Sequence, residues 1–166
     1  MIDLTATLGT HIITTVKEFI VLEQCPITWR GMDLYLLRDD VRVFYIGQSS
    51  LAYNRIWQHF IDGYKGRSTI GRFISCNWRA SMYFIIELFS SMMPYFQKFR
   101  NNPNEIERYL IELTCPCFNI AMNKHPTVLP ENYIHPDQPI KNIPGLKKMI
   151  REAGYFLKAE SRKSWV

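Results

Sequence analysis

The sequence predicts an α/β (α+β) fold with a small central antiparallel three-stranded sheet, flanked by helices and by short helical extensions at both ends. Two β-branched and aromatic runs flank the polar turn at residues 38–40, which indicates a β-hairpin. A third apolar run at 81–89 predicts a buried strand, and segments with helical apolar spacing lie between these runs. A chain of 166 residues accommodates one core of ordinary size.

Local patterns place each element along the chain. Strands are expected in the apolar, β-branched runs, which are 34–37, 41–46 and 81–89. Helices are expected where apolar residues recur every three or four positions after a capping or Asn-Pro start, and these segments are 7–24, 51–61, 68–76, 92–99, 102–113 and 146–153. Repeated prolines predict irregular structure between 126 and 144.

The helix that follows the hairpin carries two distinct faces. Arg55 and His59 are four residues apart, so they lie one above the other on a polar face. Ile56 and Phe60 form a neighbouring apolar pair. We expect this pair to seat the helix on the sheet.

The composition favours a folded protein with no membrane partner. The apolar fraction is 47%, yet no apolar run approaches the roughly 18 residues that cross a bilayer. The first residues also lack the basic segment of a signal peptide. Four cysteines fit a reducing compartment, because a chain with a sufficient core does not require disulfides. We therefore expect a cytoplasmic (intracellular) location.

Basic residues indicate a polyanionic partner. The formal net charge is +5, and the excess lies beyond residue 30. A basic loop interrupted by glycines can follow a phosphate backbone closely. The candidate nucleic-acid contacts lie in this loop and in the C-terminal helix, and they are Lys65, Arg67, Arg72, Lys147, Lys148 and Arg151.

The hairpin and its following helix carry groups suited to phosphodiester chemistry. Tyr35 and Tyr45 are expected on adjacent strands, whose side chains approach within about 5 Å on a shared face. Arg55 adds a planar donor fork that suits phosphate, and His59 lies one turn further on. Hydrolysis requires deprotonation of water and stabilisation of phosphoryl charge. These side chains provide groups for both tasks.

Glu107 is expected at the border of a buried helix face. It precedes Leu110 and Ile111 by three and four positions, and a carboxylate there is costly without a cation or a donor. One Mg²⁺ held by this carboxylate, with water and phosphate oxygens completing its octahedron, fits the position. A salt bridge to Arg55 or a contact with the helix dipole is the structural alternative.

Together these segments resemble the GIY-YIG nuclease family. The first motif, ending at Tyr35, keeps the family's tyrosine, although Asp33 and Leu34 stand where the family has Gly and Ile. The other matching positions, in order, are Tyr45-Ile46-Gly47-Gln48-Ser49, Arg55, His59, Glu107, Leu110, Ile111, Pro116 and Asn119. The resemblance implies a nuclease core over 31–124, between an N-terminal helical extension (1–30) and a basic C-terminal extension (125–166).

The resemblance implies a metal-dependent DNA endonuclease that uses one Mg²⁺ or Mn²⁺. In such an enzyme Tyr35 or Tyr45 is the general base on water. Arg55 stabilises the phosphoryl charge, and His59 contacts the water or the scissile phosphate.

Three more positions receive implied roles. By the same resemblance Glu107 holds the metal, Asn119 braces the site, and Gln48 contacts nucleic acid. Few residues flank the core, so we expect limited intrinsic specificity for double-stranded or branched DNA, or dependence on a homodimer or a recruiting protein. The main alternative is a catalytically inactive module on the same fold that binds nucleic acid or a partner. A third alternative is an RNA nuclease.

Overall fold

The computed structural model describes residues 11–139 and 142–163. The strands in this part of the chain are β1 (Ile12–Thr15), β2 (Leu34–Arg38), β3 (Val43–Gln48) and β4 (Ile85–Phe89). The α-helices are α1 (Val16–Ile20), α2 (Ala52–Tyr64), α3 (Thr69–Cys76), α4 (Trp78–Ser81), α5 (Pro103–Thr114) and α6 (Leu146–Lys163). Two 3₁₀ turns cover Ile27–Trp29 and Pro94–Phe99.

The strands form one antiparallel sheet. Among the described residues the order is β1-β4-β2-β3, so β3 is an edge strand. In the β2–β3 hairpin Tyr35 lies opposite Gly47, and Leu37 lies opposite Tyr45. The two tyrosines are therefore diagonal neighbours on the hairpin, and an irregularity in the ladder follows Leu37.

The sheet of the described residues has four strands, one more than predicted. Residues 12–15, which we expected within a helix over 7–24, pair with β4 instead. All four are β-branched, which favours an extended backbone. Thr15 then caps α1, because its hydroxyl accepts from the Glu18 N–H and the Glu18 carboxylate accepts from the Thr15 N–H. The part of the predicted helix over 7–10 lies outside the described residues.

The other predicted elements are present with shifted bounds. The third predicted strand begins only at Ile85, since α4 and a turn occupy the preceding residues. The C-terminal helix, expected to end at 153, continues to Lys163. An ion pair of 2.5 Å between Lys17 Nζ and Glu160 Oε1 joins its second half to α1. In the described part of the chain, no helix combines the length and apolarity that a bilayer crossing requires.

The sheet separates two apolar clusters. Tyr35 and Leu37 belong to the first cluster, whereas Leu34 and Leu36 belong to the second, as the alternation of a strand requires. The first cluster is closed by helices α1 to α4 and α6. It contains Ile56 and Phe60, which confirms the apolar pair predicted on α2; the buried members include Phe19, Phe44, Phe60 and Phe73. The second cluster is closed by the Pro94–Phe99 turn and α5.

Helices α2 and α3 touch through their backbones. A Cβ at Gly71 would lie 1.8 Å from the His59 carbonyl oxygen, and one at Gly63 would lie 2.2 Å from the Gly71 carbonyl carbon. Only glycine fits this crossing. The close contact fixes His59 relative to Ser68, the residue whose side chain caps α3.

Candidate active site

The predicted catalytic side chains of β2, β3 and α2 meet at one place. Tyr35 Oη lies 2.8 Å from His59 Nε2. The ring centroids of Tyr35 and Tyr45 are 6.1 Å apart, and those of Tyr45 and His59 are 5.7 Å apart. The exposed Arg55 guanidinium lies close enough to the Tyr35 hydroxyl to oppose the rise in its pKa. The structure thus brings together the four residues expected on the hairpin and its following helix.

Gly47 makes room for the Tyr35 hydroxyl. Because the two residues are directly paired across the hairpin, the phenol lies over the Gly47 Cα. A Cβ at Gly47 would be 2.4 Å from both Cζ and Oη of Tyr35. Any side chain at Gly47 would therefore displace the hydroxyl from this position.

Both tyrosines keep their protons. Burial is the main cause that raises the pKa of Tyr35 well above its ordinary value, and the neighbouring Tyr45 adds to it, while Arg55 acts in the opposite direction. The pKa of Tyr45 is raised by burial and by the Glu107 carboxylate. Neither phenol is a free phenolate near neutral pH.

His59 is neutral. Burial and then the nearby Arg55 charge lower its pKa to about 4, although Asp62 acts in the opposite direction. Its second ring nitrogen, Nδ1, lies 2.8 Å from Ser68 Oγ. Imidazole is therefore available as a proton acceptor between a phenol and a hydroxyl.

Sequence reasoning missed Ser68 as a member of this group. Its only sequence signal was a possible helix start at residue 68, which the structure bears out, because Ser68 Oγ accepts from the Gly71 N–H at 3.1 Å. Nothing in the local sequence shows that the same hydroxyl reaches His59. That contact depends on the crossing of α2 and α3.

Glu107 lies beside the β3 edge and is held by an amide. Gln48 Nε2 donates to Glu107 Oε2 at 3.0 Å and also to Asn104 Oδ1. Burial raises the pKa of Glu107, and the Gln48 hydrogen bond partly opposes this. Among the described residues no salt bridge joins Glu107 to Arg55, and Glu107 follows the first turn of α5. The two structural alternatives considered for this carboxylate are therefore not the contacts that it makes.

Asn119 extends the hydrogen bonding of edge strand β3. Its Oδ1 accepts from the Ile46 N–H at 2.9 Å, and its Nδ2 donates to the Ile46 carbonyl at 2.8 Å. The side chain is only 8% exposed. Since Ile46 lies between Tyr45 and Gly47, Asn119 fixes the backbone that carries both.

The loop between α2 and α3 opens onto a cleft of about 230 Å³. The exposed Arg67 lines this cleft, together with Tyr45, Arg55, Asp62, His59, Ser68 and four further residues. Lys65 is exposed beside it in sequence. By contrast, the Arg72 guanidinium donates to the carbonyls of Pro136 and Gln138, the latter at 3.2 Å. Its hydrogen bonds are therefore made within the protein.

The basic residues predicted on the C-terminal helix lie elsewhere. Lys147, Lys148 and Arg151 are exposed on α6, and Lys148 is 3.9 Å from Glu152. None of the described residues that line the 230 Å³ cleft belongs to α6. These three residues form a second basic surface, separate from the cleft.

Glu107 would offer a cation a single carboxylate. Across residues 11–139 and 142–163, no three His, Cys, Asp or Glu side chains form a group that could hold a metal ion. A single carboxylate suits Mg²⁺, which keeps several waters and shares substrate phosphate oxygens. Burial disfavours the charged form of Glu107, and a cation beside the carboxylate would oppose that effect.

Comparison of the chain with protein-family models, with curated proteins and with solved structures finds no match. The assignment to the GIY-YIG family therefore stays a prediction. It depends on the motif residues of this chain and on their geometry.

Proposed function

We propose that this protein is a metal-dependent DNA endonuclease of GIY-YIG type, which hydrolyses phosphodiester bonds. The observation that carries the proposal is the Tyr35 hydroxyl, 2.8 Å from a neutral His59 and beside the Arg55 guanidinium. A proton acceptor, His59, and a phosphate-binding cation, Arg55, thereby line one open cleft, and the buried relay hydroxyl of Tyr35 contacts the acceptor. In this proposal β2, β3, β4 and α2 are the family core, and β1 is an addition to it.

Proton removal from water is assigned to Tyr35 and His59 together. Tyr35 keeps its proton, and the Arg55 guanidinium beside it has only donors, so the Tyr35 O–H donates to His59 Nε2. A water molecule against Tyr35 Oη transfers its proton to Tyr35 while Tyr35 transfers its own proton to His59. The products are hydroxide and imidazolium, and a free phenolate is not required. An approaching phosphodiester anion raises the pKa of His59, which favours this transfer.

Stabilisation of the negative charge on the phosphate is assigned to Arg55 and Glu107. Arg55 is exposed at the cleft, and its planar fork binds non-bridging phosphate oxygens as their charge grows. Glu107 would hold Mg²⁺ or Mn²⁺, and such an ion supplies neutralisation of negative charge on the phosphate oxygens. Gln48 orients the Glu107 carboxylate through the 3.0 Å hydrogen bond.

Arg67 and Lys65 are assigned to the DNA backbone near the cleft, and Lys147, Lys148 and Arg151 to a more distant contact. Contacts of this kind position the duplex and carry little sequence information. Site preference would then come from a homodimer or a recruiting protein.

The departure in the first motif leaves the proposed site intact. Asp33 accepts from the Ser91 N–H at 2.7 Å and from the Ser91 hydroxyl at 2.5 Å, so it anchors the segment after β4. Tyr35 remains in register opposite Gly47. No described contact of Asp33 therefore favours an inactive binding module over an enzyme.

The proposal is tested by incubating supercoiled plasmid with purified protein and Mg²⁺ or Mn²⁺. Glu107→Ala removes the carboxylate beside Gln48, and Glu112→Ala removes an exposed carboxylate of the same helix as a matched control. We expect wild type and Glu112→Ala to nick or linearise the plasmid and Glu107→Ala to leave it intact. Binding without cleavage by all three proteins would instead indicate a binding module. Cleavage by Glu107→Ala equal to wild type would contradict the assigned site.

A further inference from the structure

Ser68 contacts His59 on the side away from Tyr35. Ser68 Oγ is 2.8 Å from His59 Nδ1, and it also accepts from the Gly71 N–H at 3.1 Å. Tyr35 Oη is 2.8 Å from the other ring nitrogen, Nε2. The imidazole is therefore held at both nitrogens, by a phenol at one and by an aliphatic hydroxyl at the other.

The hydrogen-bonding partners of these groups select one tautomer. A neutral imidazole has one N–H and one bare nitrogen, and the hydrogen bond at one nitrogen sets the proton on the other. Tyr35 keeps its proton, and the neighbouring Arg55 guanidinium carries only donors, so the Tyr35 proton points at Nε2. Nδ1 must then carry the ring proton and donate it to Ser68 Oγ.

We propose that Ser68 is a positioning residue that holds His59 in the Nδ1–H tautomer, with Nε2 free to accept the Tyr35 proton. Its part in hydrolysis rests on the proposed function, whereas the tautomer itself does not. When Nε2 gains a proton, both ring nitrogens carry hydrogen, and Ser68 Oγ continues to accept from Nδ1–H. Ser68 Oγ therefore accepts the same hydrogen bond from the neutral and from the protonated His59 ring.

The backbone keeps the Ser68 hydroxyl in place. The Gly71 N–H occupies one lone pair of Ser68 Oγ, and the α2–α3 crossing fixes Gly71 against the His59 carbonyl. The charged or titratable groups facing His59 are Arg55 and Asp62 on its own helix and the two tyrosines of the hairpin. None of these groups contacts Nδ1 in place of Ser68.

Three variants separate this role from helix capping. Ser68→Ala removes the hydroxyl and the cap, whereas Ser68→Gly removes the hydroxyl but leaves an acceptable N-cap residue. Ser68→Thr keeps both the hydroxyl and the cap. Single-turnover plasmid cleavage with saturating protein gives the chemical rate, and a DNA-binding titration in Ca²⁺ gives affinity.

The tautomer is read from ¹⁵N–¹H NMR of the histidine rings, with the His59 signals identified by their absence in His59→Gln. We expect wild type and Ser68→Thr to show His59 protonated at Nδ1 and bare at Nε2. Ser68→Gly should lose this preference and cleave about 10–100-fold more slowly, with unchanged DNA affinity.

Two results would overturn the inference: wild-type His59 protonated at Nε2, or Ser68→Gly with the ring signals and cleavage rate of wild type. If wild type does not cleave DNA, the proposed function fails. The NMR comparison still decides the tautomer, because identical ring signals in wild type and Ser68→Gly would show that Ser68 does not set it.

Discussion

Gly47→Ala is expected to lower the catalytic rate more than the stability of the protein. The new Cβ would lie 2.4 Å from Cζ and Oη of Tyr35. Non-bonded carbon atoms in contact are about 3.5–4.0 Å apart, so the phenol must move by about 1 Å or more. The movement pulls Oη away from His59 Nε2, which it contacts at 2.8 Å.

The two consequences differ in size. A displacement of about 1 Å at a reacting group lowers rates on the order of 10²-fold, which corresponds to about 2.7 kcal/mol of activation free energy. Overpacking of a buried position costs about 1–3 kcal/mol of unfolding free energy. Replacement of glycine by alanine also stabilises the fold by about 0.4–1 kcal/mol, because it lowers the conformational entropy of the unfolded chain. The net loss of stability should therefore be about 2.6 kcal/mol or less.

Single-turnover cleavage of plasmid and urea unfolding measure the two effects on the same preparations. Gly31→Ala is the matched control, because a Cβ there has no atom within 4 Å. We expect the control to match wild type in both measurements. A Gly47→Ala protein that cleaves at the wild-type rate would refute the assigned position of Tyr35.

Three further variants test other parts of the site. Arg55→Ala should lower the single-turnover rate about 10²–10³-fold, as for loss of a donor to developing charge, and a rate within twofold of wild type would remove Arg55 from the mechanism. Asn119→Ala leaves the buried Ile46 N–H without its 2.9 Å partner, so urea unfolding should show a loss of about 1–3 kcal/mol; no change would contradict the bracing contact. The folded pKa of His59, about 4, lies below its unfolded value of 6.5, so the unfolded chain gains a proton first as pH falls. Wild type should lose stability between pH 6.5 and 4 more steeply than His59→Gln, and equal slopes in urea unfolding would contradict a buried neutral His59.

The hairpin and the helix after it could be predicted because their signals are local. A polar turn between β-branched runs fixes β2 and β3, and a separation of four residues fixes the shared face of Arg55 and His59. Adjacent strands then bring Tyr35 and Tyr45 together. The cross-strand register could not be fixed in this way, and it gives Tyr35 a glycine as its direct partner.

Features that depend on distant packing could not be predicted. β1 forms because residues 12–15 pair with the free edge of β4, seventy or more residues away in sequence. Ser68 reaches His59 because two glycines let α2 and α3 touch. Arg72 donates hydrogen bonds to carbonyls of the irregular segment before 139. That segment has no periodic sequence pattern from which its position could be predicted.

The central claim is that the Tyr35 hydroxyl passes a proton to His59 during hydrolysis, and Tyr35→Phe tests it by removing one oxygen atom. Single-turnover plasmid cleavage with Mg²⁺ should fall at least about 10²-fold, which is the lower range for a general acid–base group. DNA affinity and the urea midpoint should stay near those of wild type, because the ring still fills its place in the first apolar cluster. Cleavage by Tyr35→Phe at the wild-type rate would contradict the account.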